Sequence, residues 1–258
     1  MSGLAQLIRD TQVAPCHLAV FYLAQAGFCF KGARGRVVAV DPYLSDACNR
    51  LFGFRRIIPA VMAPEELEAD IVASTHAHAD HLDPDAVPIL ARNPRTHFLG
   101  APDCEETYRH IGIPPDRYSI LKRGESATVK GIGFRAVFTD HGDLAPEAIG
   151  LLIDSDGIKV YSVGDSAYAP DEIIRSLNSA VDIMISPING QFGNMNAEET
   201  CRLAAAVKPR LLIASHFWMF IEHGGDPARF LEEAKALPAG IEAIVMAPGE
   251  MLVYPRDK

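Results

Sequence analysis

Thr75-His76-Ala77-His78-Ala79-Asp80-His81 follows directly on the apolar run Ile71-Val72-Ala73-Ser74, and it holds three of the nine histidines in the chain. A short apolar, β-branched run reads as a buried strand, and the polar run as a turn at its end. Imidazole and carboxylate are the side chains that bind borderline divalent metals. His76 and His78, two apart, can converge on one ion, while Asp80 and His81 face a second position. The bland alternatives are a histidine-rich surface loop or a pH-sensitive patch. The density of the pattern favours metal chemistry.

Outward from this motif the chain alternates strands and helices. Residues 3–10 read as a short helix or tail. His17–Phe30 and Val37–Val40, around the turn Lys31–Arg36, read as a hairpin ending at Asp41-Pro42. Residues 43–63 look irregular, and Pro64–Leu67 suggests one helical turn. After the motif, Asp83 caps a short helix that Pro88 limits, and Asp103 caps another over 103–111. Strands are expected near 118–122, 126–130, 132–139, 149–154 and 157–163, the last two joined by the Asp156-Gly157 hairpin signal. Val181–Ile185 and Leu211–Ala214 read as buried strands. Asn196 with Glu199 forms a capping box for a helix to about Val207, and Asp226-Pro227 opens a second helix. Strands near 242–246 and 250–254 close a single mixed α/β domain spanning residues 1–258.

Composition narrows the function classes. With 258 residues, 48% hydrophobic and 22% charged, the chain can bury one sizeable core. A net charge of −9 argues against a nucleic-acid-binding surface but leaves small anionic substrates open, since bound cations dominate a local field. The clusters Lys31–Arg36 and Arg55-Arg56 read as solvated. Five scattered cysteines without a Cys-x-x-Cys pair suit a reducing compartment. No signal-peptide pattern opens the chain, and no apolar stretch approaches the ~20 residues that span a bilayer. The expectation is a cytoplasmic protein with no membrane span; homo-oligomerisation stays open.

Other candidates repeat the position of the motif at a strand end: His141 after 132–139, Asp165 after 157–163, and His216 after the buried run 211–214. A rigid sheet can hold such residues at one rim. Two divalent ions per chain would then be held by His76, His78 and His141, and by Asp80, His81 and His216, with Asp165 bridging. His223 follows closely enough to reach the pocket rim. Asn189 and Asn194 suit contacts to a hydroxyl-rich substrate, whereas Asn196 reads as a helix cap. His17, His97 and His110 read as surface or packing residues, and Trp218 as a pocket wall or simple packing.

The order His-x-His-x-Asp-His, then His, then Gly-Asp, then a strand-end His resembles the metallo-β-lactamase superfamily. Ala24–Phe28 and Val40–Tyr43 extend the likeness towards the N-terminus. Asp41–Asp46, Gly164–Tyr168, Asn189–Asn196 and Tyr254–Lys258 look like the branch that contains L-ascorbate-6-phosphate lactonase, although the chain has less sequence before Gly164. The resemblance implies a four-layer αββα sandwich and manganese or zinc; the donor types leave iron open. It further implies hydrolysis by a metal-bound hydroxide of a lactone or similar ester of a small, optionally phosphorylated, sugar acid. Asp80 would orient the nucleophile and Asp165 accept its proton. Two alternatives stay open: a phosphodiesterase acting on a small or lipid phosphodiester, and a non-catalytic metal-stabilised binding protein.

Overall fold

Strands covered on both faces lose the polar–apolar alternation of a half-exposed sheet, and β1 (Leu18–Ala24) is buried at every position. A computed structural model describes residues 2–256, so Met1 and the last two residues of Tyr254–Lys258 lie outside it. In the first sheet β1, β2 (Gly27–Gly32) and β3 (Val37–Val40) pair antiparallel. From β3 the sheet continues in parallel through β4 (Ile71–Ser74), β5 (His97–Gly100) and β6 (Tyr118–Ile120). The second sheet begins as an antiparallel meander of β7 (Ser126–Val129), β8 (Ile132–Phe138), β9 (Ile149–Ser155) and β10 (Ile158–Ser162). It continues in parallel through β11 (Ile183–Pro187), β12 (Leu211–Ser215) and β13 (Glu242–Ile244). Finally β14 (Met251–Tyr254) returns to the first sheet beside β1.

Both sheets contribute to one contiguous buried cluster. Around them lie α1 (Gly3–Asp10), α2 (Ala47–Phe52), α3 (Val87–Leu90), α4 (Cys104–His110), α5 (Pro170–Leu177), α6 (Ala197–Val207) and α7 (Pro227–Ala234). The architecture is the expected αββα sandwich. At the start of α6 the Asn196 side chain accepts from the Glu199 amide at 3.0 Å, and Glu199 accepts from the Asn196 amide at 3.0 Å. Such a cap contributes about 1 kcal/mol. Among the described residues no helix is long and apolar enough to cross a membrane.

Several local expectations change. The apolar stretch 17–30 is itself a hairpin, because Ala24 (φ 75°) and Gln25 (φ 54°) turn the chain through left-handed backbone. Neither is glycine, so the turn carried no usual signal. A short helix, α2, lies within the region read as irregular, and α5 had no counterpart in the sequence reading. Asp103 does not cap α4; its carboxylate accepts from the Ala77 amide at 3.1 Å, inside the histidine motif.

Strand direction places the rim. β3, β4, β10 and β12 end at one edge, and β8, two antiparallel steps from β10, ends there as well. Asp41, the 76–81 motif, Asp165, His216 and His141 therefore follow strand ends that face one another across the sandwich. Ligands in α/β sheets gather at this carboxyl edge.

Candidate metal centre

His76 and His78 leave β4 with His76 Nε2 and His78 Nδ1 2.9 Å apart. The His141 ring centre lies 5.2 Å from that of His76 and 5.1 Å from that of His78. One donor nitrogen from each of these three side chains lies within 4.8 Å of the other two. Beside them a second group forms around two carboxylates. His81 Nε2 lies 3.2 Å from Asp165 Oδ1 and 3.8 Å from Asp80 Oδ2. His216 Nε2 lies 3.3 Å from Asp165 Oδ1 and 3.5 Å from Asp80 Oδ2. The other oxygen of Asp165 faces His141 Nε2 at 3.8 Å, so this carboxylate stands between the groups.

Backbone geometry makes this approach feasible. Gly164 (φ 70°) precedes Asp165, and a Cβ there would meet Ile149 O at 3.1 Å and Thr75 Cβ at 3.2 Å. Asp41 (φ 46°) and His216 (φ 58°) also leave their strands through left-handed backbone. Each such turn costs about 1–2 kcal/mol in a non-glycine residue.

Hydrogen bonds set the ring tautomers. His78 donates through Nε2 to Leu144 O at 3.1 Å, which leaves its Nδ1 lone pair for the centre. His81 donates through Nδ1 to Asp41 Oδ2 at 2.9 Å, which leaves Nε2 inward. Thr75 Oγ1 donates to Asp41 Oδ2 at 2.8 Å and lies 3.1 Å from His76 Nδ1. With its proton given to Asp41, that oxygen accepts from His76 and leaves Nε2 free. Asp41 therefore orients two imidazoles, one directly and one through Thr75. Exchanging it for asparagine is expected to weaken zinc or manganese affinity about 10–100-fold without moving any inward-facing donor. Metal titration of the Asp41→Asn protein measures this; an unchanged affinity removes the orienting role.

Burial and charge divide the titrating groups. Burial lowers the His76 imidazole well below its usual range, and neighbouring His81 adds to the effect. His141, lowered chiefly by burial, falls to about 4, as does His223, where burial is reinforced by His216. Burial alone would also lower His81 and His216, but Asp165 and Asp80 outweigh it at both rings, joined at His81 by Asp41. They hold His81 well above the usual range and push His216 up to about 9. Burial would raise both carboxylates, yet the cationic rings hold Asp80 and Asp165 well below theirs. Without another cation, two protonated imidazoles balance two buried carboxylates.

The donor set fits divalent cations. His81 Nε2 and Asp165 Oδ1 are buried and face each other at 3.2 Å, with no further hydrogen-bond partner among the described residues. Five imidazoles and two carboxylates match zinc, manganese or iron preferences. Converging imidazole and carboxylate donors of this kind suit a cation that takes the place of the imidazole protons.

Two contributors escaped the sequence reading as site residues, Asp41 and Gln25. The Gln25 side chain is fully buried, and its Nε2 donates to Asp80 Oδ2 at 2.7 Å. The same nitrogen lies 3.2 Å from His216 Nε2 and 3.1 Å from His223 Nδ1. Its backbone carbonyl accepts from the His216 amide at 2.9 Å. Asp41 sits at a strand end, the signal that singled out His141, whereas Gln25 sits in an unsignalled turn.

His223 lines the cavity above the centre, stacked on His216 with ring centres 4.9 Å apart. Asn189 and Asn194, expected as substrate contacts, are not among the residues that line this cavity. Asn194 Nδ2 donates to Asp165 Oδ2 at 2.8 Å, and Asn189 Nδ2 donates to Gln191 O at 3.2 Å. Trp218 is half-exposed against Phe217 and lies outside the cavity lining. His110 is exposed, and His97 Nε2 pairs with Ser119 Oγ at 2.9 Å.

Residues 19–216 match the family model described as the beta-lactamase superfamily domain. A metal-dependent hydrolase of Thermococcus onnurineus is 29% identical over 240 residues, which cover 90% of this chain and 98% of that protein. Igni18, a metallo hydrolase from Ignicoccus hospitalis, superposes with a TM-score of 0.75 at 21% identity over 93% of this chain and 100% of its own. The isothiocyanate hydrolase from Delia radicum gut bacteria gives a TM-score of 0.70 at 19% identity, over 91% and 98% respectively.

Proposed function

We propose, for a chain that belongs to the beta-lactamase superfamily, that it is a metal-dependent hydrolase cleaving a lactone or similar ester. One observation carries this reading: seven ionisable side chains from strand ends distant in sequence converge beneath a cavity of about 510 Å³. His76, His78 and His141 would hold one divalent cation, and Asp80, His81 and His216 a second, with Asp165 shared. Zinc or manganese suits this donor set, with iron as a further candidate. Such a pair supplies Lewis-acid polarisation and makes water easier to deprotonate.

The protein's own groups do the rest. Asp80 and Asp165, held ionised, are acceptors that orient a water at the cavity base and take its proton. Gln25 keeps Asp80 in place through its 2.7 Å hydrogen bond, and Asn194 does the same for Asp165 at 2.8 Å. Water adds to the carbonyl carbon and the ester C–O bond breaks. The ring or chain oxygen leaves as an alcohol with one proton of that water, and the other passes to solvent from the new carboxylic acid.

A phosphorylated sugar acid, favoured by the branch resemblance, has less support from the cavity. No lysine or arginine lines it among the described residues, so the cations alone would be left to pair with a phosphate dianion. The test is turnover of a lactone and ester panel against bis(p-nitrophenyl) phosphate, with metal-reconstituted protein. Lactone or ester hydrolysis supports the reading. Phosphodiester hydrolysis alone transfers the site to phosphorus chemistry, and no turnover of either favours a binding protein.

A further inference from the structure

We infer that the substrate carries an uncharged apolar chain or ring, seated against an aromatic wall beside the histidines. The inference rests on the hydrolase reading for the bond that is cleaved, but not for the binding itself. Outside the histidines and aspartates, the cavity is walled by Leu51, Phe52, Phe54, Leu144 and Phe192, with smaller apolar residues between them. Only Cys48 and Thr107 add other polar side chains, and no amide, lysine or arginine side chain lines it among the described residues. A polyol placed there would surrender its hydration and find few partners in exchange.

Nearby cations are committed elsewhere. The Arg56 guanidinium lies over the Tyr43 ring at 4.6 Å and donates to Ser45 O at 2.6 Å and Ile58 O at 3.0 Å. Arg50 pairs with Asp85 at 2.6 Å. Neither is among the residues that line the cavity, although Arg56 Nη2 has no hydrogen-bond partner among the described residues.

The wall is built from three separate segments. Leu51 and Phe52 come from α2, Leu144 from the turn after His141, and Phe192 from the loop after β11. Phe52 is 60% exposed and Leu144 55%, with Leu51 and Phe192 also exposed. Large apolar side chains left in water around one mouth mark a binding surface. Their continuity with the centre is direct. Phe54 and Phe192 lie 5.9 Å apart, both pack on His223 at 5.8 and 5.1 Å, and His223 stacks on His216. A volume of about 510 Å³ is within the usual range for small-molecule sites, so it takes a substrate larger than its scissile group.

The experiment is calorimetric titration of the full chain, metal-free and metal-loaded, with 2-alkylcyclopentanones from methyl to hexyl. These probes have a lactone's shape but no scissile bond. Kd is expected to fall about fourfold for each added methylene until the cavity is full. The binding heat capacity should become more negative in step. Glucono-lactone 6-phosphate should bind more weakly than the hexyl ketone. In Phe54→Ala and Phe192→Ala, checked for folding by circular dichroism, the gain should drop below about twofold per methylene. A flat series in the wild-type chain, or tighter binding of the phosphorylated sugar lactone, overturns the inference. Tail-length dependence in a protein that hydrolyses no lactone or ester upholds it and defeats the hydrolase reading instead. Hydrolysis without tail-length dependence does the reverse.

Discussion

Exchange of His76 for alanine is expected to lower kcat/KM on lactones or esters by on the order of 10³-fold or more. The estimate follows from the several kcal/mol that metal-assisted charge stabilisation supplies, at 1.36 kcal/mol per decade. His76 Nε2 faces His78 Nδ1 at 2.9 Å and its ring lies beside those of His81 and His141. The side chain is fully buried, so truncation also leaves a void in the rim. His78→Ala is the companion variant, because His78 is only half-buried and its loss disturbs packing less. Rate, metal content and thermal unfolding measured together separate the causes. Wild-type rates in folded, metal-depleted variants would refute a metal-centred reaction.

Metal removal should make stability depend on pH in the direction opposite to that of metal binding. In the metal-free chain His216 is raised to about 9 and His81 well above its usual value by the adjacent carboxylates. A histidine raised in this way contributes stability fully below its unfolded value near 6.5, and that contribution is lost as pH rises through the folded value. Asp80 and Asp165 are depressed, so their contribution is present above about 4 and lost in acid. The metal-free protein should accordingly lose stability between pH 6.5 and 9. Cations compete for the nitrogens that carry these protons, so their apparent affinity should strengthen by about tenfold per displaced proton per pH unit over that interval. At pH 8, with the cation at 100 times its Kd, the gain is about 2.7 kcal/mol, or roughly 5–10 °C in Tm for a domain of this size. Differential scanning calorimetry at pH 6, 7, 8 and 9, with and without chelator, measures both trends. A metal-induced Tm shift that stays constant across the range would exclude displacement of these protons.

Much of the fold was legible because its signals are local. Continuous apolar runs marked β4, β11 and β12, the Asp156-Gly157 pair marked the β9–β10 hairpin, and Asn196 with Glu199 marked the start of α6. Where the backbone turned without glycine, as at Ala24 and Gln25, or made a helix as short as α2, the local pattern carried too little information. Asp103 shows a further limit: its position suits a cap, yet the Ala77 amide sits close enough to take its carboxylate instead.

The donor types and their attachment to strand ends belong to the primary structure: a strand that ends in His-x-His-x-Asp-His must present those groups close together. Their company was settled in three dimensions. Parallel pairing of β3 with β4 brought Asp41 under His81 and Thr75, and the β1–β2 turn carried the Gln25 amide to Asp80 and His216. Three remote segments likewise set an apolar wall over a charged base. Covalent neighbours fix what a residue can donate or accept, but which partner it meets depends on how sheets stack, and that is a property of the whole core.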